Sequence, residues 1–310
     1  LENLIVSNNH ASEAGGVCIQ SSGVTLKNSQ IYNNVCEGGQ AAGLSIGSGA
    51  GNVTLINVLI SDNTDLQSSV AGGLAVNGSG IANIINSTIT GNVGEQGVHI
   101  QGGGNLNVTN SIIFGNNGSE IVFRPAVGVS PHSYATINYS IIEHGLDSIV
   151  TNDNGTVTWG AGNIDADPMF VDTANGNYHL LASSQLINAG HPDSLDSDGT
   201  VADIGAYPYL NSYSGPTWYI TESGNDTTAT GATDDPFRSI QAGINFSSDN
   251  DSITVAAGTY VENINFKGRN IKVVGANRET TIIDGNQNGS VVVFENGETS
   301  TTILKKFTIR

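Results

Sequence analysis

The side chains with the best spacing for chemistry in this chain are four aspartates. Asp193-Ser194-Leu195-Asp196-Ser197-Asp198-Gly199, with Asp203 four residues on, alternates carboxylates ahead of a glycine that permits a tight turn, a composition that wraps Ca²⁺. The run departs from a full EF-hand loop and lacks the bidentate Glu at its end, so an exposed acidic turn is the competing reading. Asp165 and Asp167 are weaker candidates for the same ion. Hydrolysis of a glycosidic bond needs two carboxyl groups facing one substrate, and Asp62, in an Asn-rich corner, has no assignable second. His10, His99, His132 and His144 fall in different parts of a repeat without metal-ligand spacing. His179 and His191 fit packing and turns better than chemistry. No catalytic constellation emerges, and the chain is expected not to be an enzyme. Cys18 and Cys36 are its two cysteines, which leaves one disulfide or two separate thiols.

Charge narrows the partners. Ten Lys and Arg against twenty-eight Asp and Glu give a formal charge of −18, a potential that repels nucleic acid, anionic lipid and polyuronate. No apolar run approaches the ~18–20 residues of a membrane-spanning helix. Forty glycines and only 12% charged residues, among many Asn, Ser, Thr, Val and Ile, describe a turn-rich all-β chain.

The elements that must position any site are repeats. Asn3-Leu4-Ile5-Val6, Asn28-Ser29-Gln30-Ile31, Asn57-Val58-Leu59-Ile60, Asn86-Ser87-Thr88-Ile89 and Asn110-Ser111-Ile112-Ile113 share one pattern, with Tyr139-Ser140-Ile141-Ile142 as a degenerate sixth copy. Six residues after the first five of these Asn stand Asn9, Asn34, Asn63, Asn92 and Asn116. Each copy follows a short strand such as Val53-Thr54-Leu55 and, before it, a Gly-led one such as Gly73-Leu74-Ala75-Val76. Three short strands make one coil, and stacking coils ~4.8 Å apart gives each inward Val, Ile and Leu a partner. Asn tolerates the left-handed backbone of a sharp corner, and stacked amides bond into ladders. The predicted ladder is Asn3, Asn28, Asn57, Asn86 and Asn110. On the Gly-led strand the outward positions are Cys18, Ser45, Ala75 and His99, a small and mostly neutral strip.

This coil pattern resembles the right-handed parallel β-helix of the pectate-lyase-like superfamily, especially repeat-rich exported proteins of bacteria. The resemblance covers roughly residues 1–150 and implies an all-β, three-sheet solenoid. Asp167-Pro168-Met169-Phe170, Tyr178-His179-Leu180, Ala189-Gly190 and Asp203-Ile204-Gly205-Ala206-Tyr207 resemble a C-terminal module of such proteins, with Pro208 where those families carry Glu. The segment 151–210 is therefore expected to cap the first solenoid, and 211–216 to be a linker. Residues 217–310 resemble the start of a second solenoid. In them Phe237, Ile240 and Ile244 have the one-face spacing of a helix, similar to the N-terminal cap of pectin-esterase-like β-helices.

The order is coils, end cap, linker, start cap, coils. It predicts a non-catalytic structural protein of the cell exterior, an adhesin-like module or filament. Open solenoid edges would template pairing, and growth would run head to tail through Leu1, Leu4 and Val6 at one end and Leu304, Phe307 and Ile309 at the other. The partners would be copies of the chain or flanking β-helix modules. The alternative is a carbohydrate-binding or polysaccharide-processing module for neutral glycans, with Trp159, Trp218 and Tyr219 as stacking candidates.

Overall fold

The computed structural model describes residues 1–68, 70–125 and 131–310. The chain is a parallel β-solenoid of about 11 turns, and it divides into two compact units. The first holds Leu1–Ala166, Ala189–Ser194 and Val201–Pro208; the second holds Asp167–Asn188, Leu195–Thr200 and Tyr209–Arg310.

One coil of the first unit shows how sequence becomes shape. In the strand Asn52–Ser61, Val53 and Leu55 point inward and are fully buried, while Thr54 and Ile56 face out. At Asn57 the backbone turns left-handed (φ 53°), and the strand continues on a second face with Val58 and Ile60 in the core and Leu59 outward. A corner at Asp62 (φ 55°) leads through Thr64–Asp65 to the Gly-led strand Ala71–Asn77, whose Leu74 and Val76 enter the core. A turn at Gly78 (φ 58°) begins the next coil. Parallel pairing in register repeats this on every coil, so that Val53 stacks on Val24 and Leu55 on Leu26. Each inward aliphatic contributes ~1.5–3 kcal/mol by burial.

The two sets of repeated asparagines divide the corner chemistry, and the predicted ladder is corrected. Asn3, Asn28, Asn57, Asn86 and Asn110 all have positive φ, between 45° and 56°, so they make the bend. Among their side chains only one rung is seen, Asn57 Nδ2 to Asn28 Oδ1 at 3.0 Å, because a residue on the outside of a bend aims its side chain away from the stack. The continuous ladder belongs to the asparagines six residues later. Asn9, Asn34, Asn63 and Asn92 each donate from Nδ2 to Oδ1 of the next member, ending at Asn116, at 2.8–2.9 Å. The same oxygens accept the backbone N–H groups of Asn9, Asn34, Asn63 and Asn92. The sixth copy has Gly145 at this position, and the ladder instead ends on Glu120, which accepts from Asn116 N (3.0 Å) and Nδ2 (2.6 Å). Burial, with the neighbouring Glu143 carboxylate adding to it, pushes the Glu120 carboxyl up to about 8.

Residues 201–208 do not close an end of the first unit. They run lengthwise along its second face. Gly205 N donates to Asn110 O (2.9 Å), Ala206 N to Thr88 Oγ1 (3.0 Å), and Gln30 Nε2 to the Tyr207 hydroxyl (2.8 Å). Gln30, Leu59, Thr88, Ile112 and Ile141 are register partners on successive coils, so this strap crosses at least four coils. Outward Leu59 and Ile112, on the coils the strap crosses, are buried, and so is Ile141 on the next coil. A side chain at Gly205 would meet Ile112 Cδ1 at 2.7 Å, which explains the glycine.

In the second unit, Thr217–Ile220, Ser252–Val255, Lys272–Gly275 and Ile303–Lys305 stack as one sheet, and Gly258–Val261, Thr281–Asp284 and Thr308–Ile309 as another. The predicted helix is present as Ile240–Phe246. Residues 240–245 are buried, and Phe237 packs in the same core from just before the helix. Asn245 Nδ2 donates to Ala182 O (2.9 Å) and Ser184 O (2.8 Å), and Lys267 Nζ to Gln185 O (3.1 Å). The stretch 182–188 thus packs within the second unit. The expected linker is also anchored there: Asn211 Nδ2 donates to Thr230 O (2.9 Å), and the Tyr213 ring meets Trp218 edge-on.

Candidate binding groove

The strip expected to face outward on the Gly-led sheet is mostly covered. Cys18 is exposed, but Ser45, Ala75 and His99 are at most 1% exposed. The two thiols are separate, with Cys36 buried beside Asp65 (Sγ to Oδ1 3.6 Å).

His99 anchors an amide network under this strip. Its Nε2 lies 3.1 Å from Asn77 Oδ1 and its Nδ1 3.4 Å from Gln96 Nε2. Burial, reinforced by the Arg124 charge, lowers its pKa to about 3. The ring is therefore neutral at ordinary pH, with Nε2–H donating to Asn77 and Nδ1 accepting from Gln96. Asn77 Oδ1 also accepts from Gln101 Nε2 (2.7 Å), and Gln40 Oε1 accepts from Ser45 Oγ (2.5 Å) and Asn77 Nδ2 (3.4 Å).

These amides border an open groove of 390 Å³ whose polar lining comes from Gln20, Gln40, Ser48, Asn77 and Gln101. Stacking explains why they meet. Ile19, Ile46, Val76 and Ile100 are register partners, so the residues that follow them, Gln20, Gly47, Asn77 and Gln101, form one row along the coil stack. Gly47, Gly78 and Gly102 keep the floor shallow, and a side chain at Gly47 would strike the Gln20 amide. No charged side chain lines the groove among the described residues. Each primary amide offers two donors and one acceptor oxygen, a set that matches sugar hydroxyls. The row was not among the expected site residues because its members lie two residues past the strip of Cys18, Ser45, Ala75 and His99.

A second cleft, of 620 Å³, lies in the second unit and includes Glu222, Asp226, Arg238, Tyr260 and Glu262. Its carboxylates hold backbone. Glu262 accepts the N–H groups of Ile240 (2.8 Å) and Gln241 (2.9 Å), Asp226 those of Arg238 (2.9 Å) and Ser239 (3.2 Å), and Glu222 that of Thr259 (2.8 Å). Burial raises Glu262 to about 7. These groups fasten a strand and the start of the helix, which reads as architecture.

The calcium candidates are Asp193, Asp196, Asp198 and Asp203. Asp193 and Asp203 go with the first unit, Asp196 and Asp198 with the second. Among the described residues no group of three or more His, Cys, Asp or Glu is placed to hold a metal ion. Asp198 instead fixes a turn, accepting from Thr200 N (3.1 Å) and Oγ1 (2.7 Å) through one oxygen and from Asn211 N (2.9 Å) through the other. Burial works to raise its pKa, and these hydrogen bonds outweigh it and hold it below the usual value. Of the aromatic candidates, Trp218 is buried and donates to Asp251 Oδ2 (2.9 Å), and Trp159 packs against the first core. At the terminal coils Leu1, Leu4 and Ile309 are exposed, and Val6, Leu304 and Phe307 half-buried.

Comparison with known proteins adds one match. A family described as a protein of unknown function (DUF1565), associated with β-helix proteins, matches residues 222–299. No curated protein and no solved structure matches the chain.

Proposed function

We propose that the chain is a non-catalytic β-solenoid module of an exported surface protein, which binds neutral glycan through the amide row of its first unit. The observation that carries this reading is the groove bordered by Gln20, Gln40, Asn77 and Gln101, with no charged lining side chain among the described residues. The net charge of −18 supports a neutral ligand over an acidic one. The Asn-, Ser- and Thr-rich coils and the resemblance to exported bacterial β-helices support a location outside the cell.

Titration calorimetry against neutral oligosaccharides, run beside an assay for released reducing ends, tests it. Binding without turnover is expected, weakened about tenfold or more by Gln101→Leu, since a lost hydrogen-bonding partner that strands its counterpart costs ~1–3 kcal/mol. Turnover of any polysaccharide, or binding unchanged in Gln101→Leu, would overturn the reading.

A further inference from the structure

The first face of the first unit is unlike the groove: it is open and periodic. Its central outward row is Thr25, Thr54, Asn83, Asn107, Thr136 and Thr158, in unbroken register across six coils. Two residues to one side, Asn52, Ile81, Asn105, Tyr134 and Thr156 are in register. Two residues to the other, Lys27, Ile56, Ile85, Thr109 and Asn138 are. All of these are half-buried or exposed, while the residues between them in the strands fill the core.

We propose that this face binds ice. The rows form a net of about 4.8 Å between coils by about 6.7 Å between alternate residues, repeats close to those of the oxygen lattice on a prism face of hexagonal ice. Short hydroxyl, amide and methyl groups on such a net hold first-layer water in a fixed array, and ordered water bridges two surfaces nearly as well as direct hydrogen bonds. The array is stiff: Asn83 donates to Asn52 Oδ1 (2.5 Å) and Asn107 to Asn83 Oδ1 (3.0 Å), and the inward neighbours Val53, Leu55, Ala82 and Ile84 are fully buried.

Charge points the same way. In a chain of net charge −18 the three rows carry one charged residue, Lys27 at an edge, so the face suits a neutral, extended, repeating partner. A crystalline glycan is such a partner too, but flat sugar faces are gripped by stacked aromatic rings, and Tyr134 is the one aromatic in these rows. The inference does not depend on the glycan groove, which lies along a different row.

The test is partition of the full chain between a slowly growing ice surface and the remaining solution. Several-fold enrichment in the ice is expected, and Thr54→Lys/Thr136→Lys should lose it while keeping the wild-type circular dichroism and melting temperature. Thr158→Lys, at the exposed end of the row, gives a second variant if the pair fails to fold, and should weaken enrichment. Gln101→Leu, which alters the groove, should leave it unchanged. Exclusion of the wild type from ice, enrichment equal in the lysine variants, or retention on crystalline cellulose without enrichment in ice would each overturn the proposal.

Discussion

Two faces of the first unit share one interior and differ in what they turn outward. Behind both stand stacked Val, Leu and Ile. Outward, the second face presents Leu59, Ile112 and Ile141, and the chain lays the 201–208 strap across the coils of the first two. The first face presents Thr54, Asn83, Asn107 and Thr136, and they remain open to solvent. The inward half of a solenoid strand specifies the fold, whereas its outward half specifies whether the face will be covered. A contiguous apolar row in water is a liability, and a Thr and Asn row is not.

Both faces hang on the asparagine ladder, so breaking one rung should have the largest effect. Asn92 is fully buried. Its Oδ1 accepts Asn63 N (3.1 Å) and Nδ2 (2.9 Å), and its Nδ2 donates to Ile60 O (2.9 Å). Asn92→Ala strands these groups away from water, at a cost of about 3–5 kcal/mol in total. The melting temperature of the first unit should fall by about 10 °C, read by calorimetry.

The covered face comes next. Leu59 is 3% exposed, and the 201–208 strap crosses the coils on either side of it. Leu59→Ala should cost about 2–3 kcal/mol, toward the low end for leucine because the strap can settle into the gap. Limited proteolysis should then cut within 201–208 sooner than in the wild type.

The coil pattern, the three sheets and the helix near Ile240 were legible because periodic apolar spacing and stacked repeats leave few other solutions. The corners were legible in part. Asn3, Asn28, Asn57, Asn86 and Asn110 could be recognised as bends, but which asparagine supplies the ladder depends on whether its side chain points along the stack or away from it, and the spacing of six is the same read from either end. The strap was misread as an end cap because Asp203-Ile204-Gly205-Ala206-Tyr207 carries no mark of what it lies against. The outward Leu59, Ile112 and Ile141 were the available clue, an apolar row in need of cover. The amide groove escaped because Gln20, Asn77 and Gln101 come together only across coils of unequal length.

The ladder's last rung predicts a pH effect on stability. In the folded chain the Glu120 carboxyl is raised to about 8, above its ordinary ~4.3. The folded state then holds a proton that the unfolded state has released, so this contribution to stability is full below about pH 4.3 and declines as pH rises to about 8. Glu262, raised to about 7 in the second unit, acts with the same sign. The measurement is therefore a difference: Glu120→Gln, neutral at every pH, should flatten the fall of melting temperature between pH 5 and 8 that the wild type shows. Parallel slopes in the two proteins would mean that Glu120 is ionised in the fold.

The open face should show the smallest effect on stability, and that smallness sharpens the contrast. Thr54 lies between Thr25 and Asn83 on neighbouring strands, half in solvent, with no side-chain hydrogen bond among the described residues that an alanine would orphan. Thr54→Ala gives up some β-propensity and a methyl contact, and should change stability by about 0.5 kcal/mol or less. Chemical denaturation of Thr54→Ala beside Leu59→Ala compares two residues of one strand, five positions apart, on either side of the bend at Asn57. A loss at Thr54 as large as that at Leu59 would mean that the first face is covered in solution as the second is, and that its hydroxyls are not free to hold water.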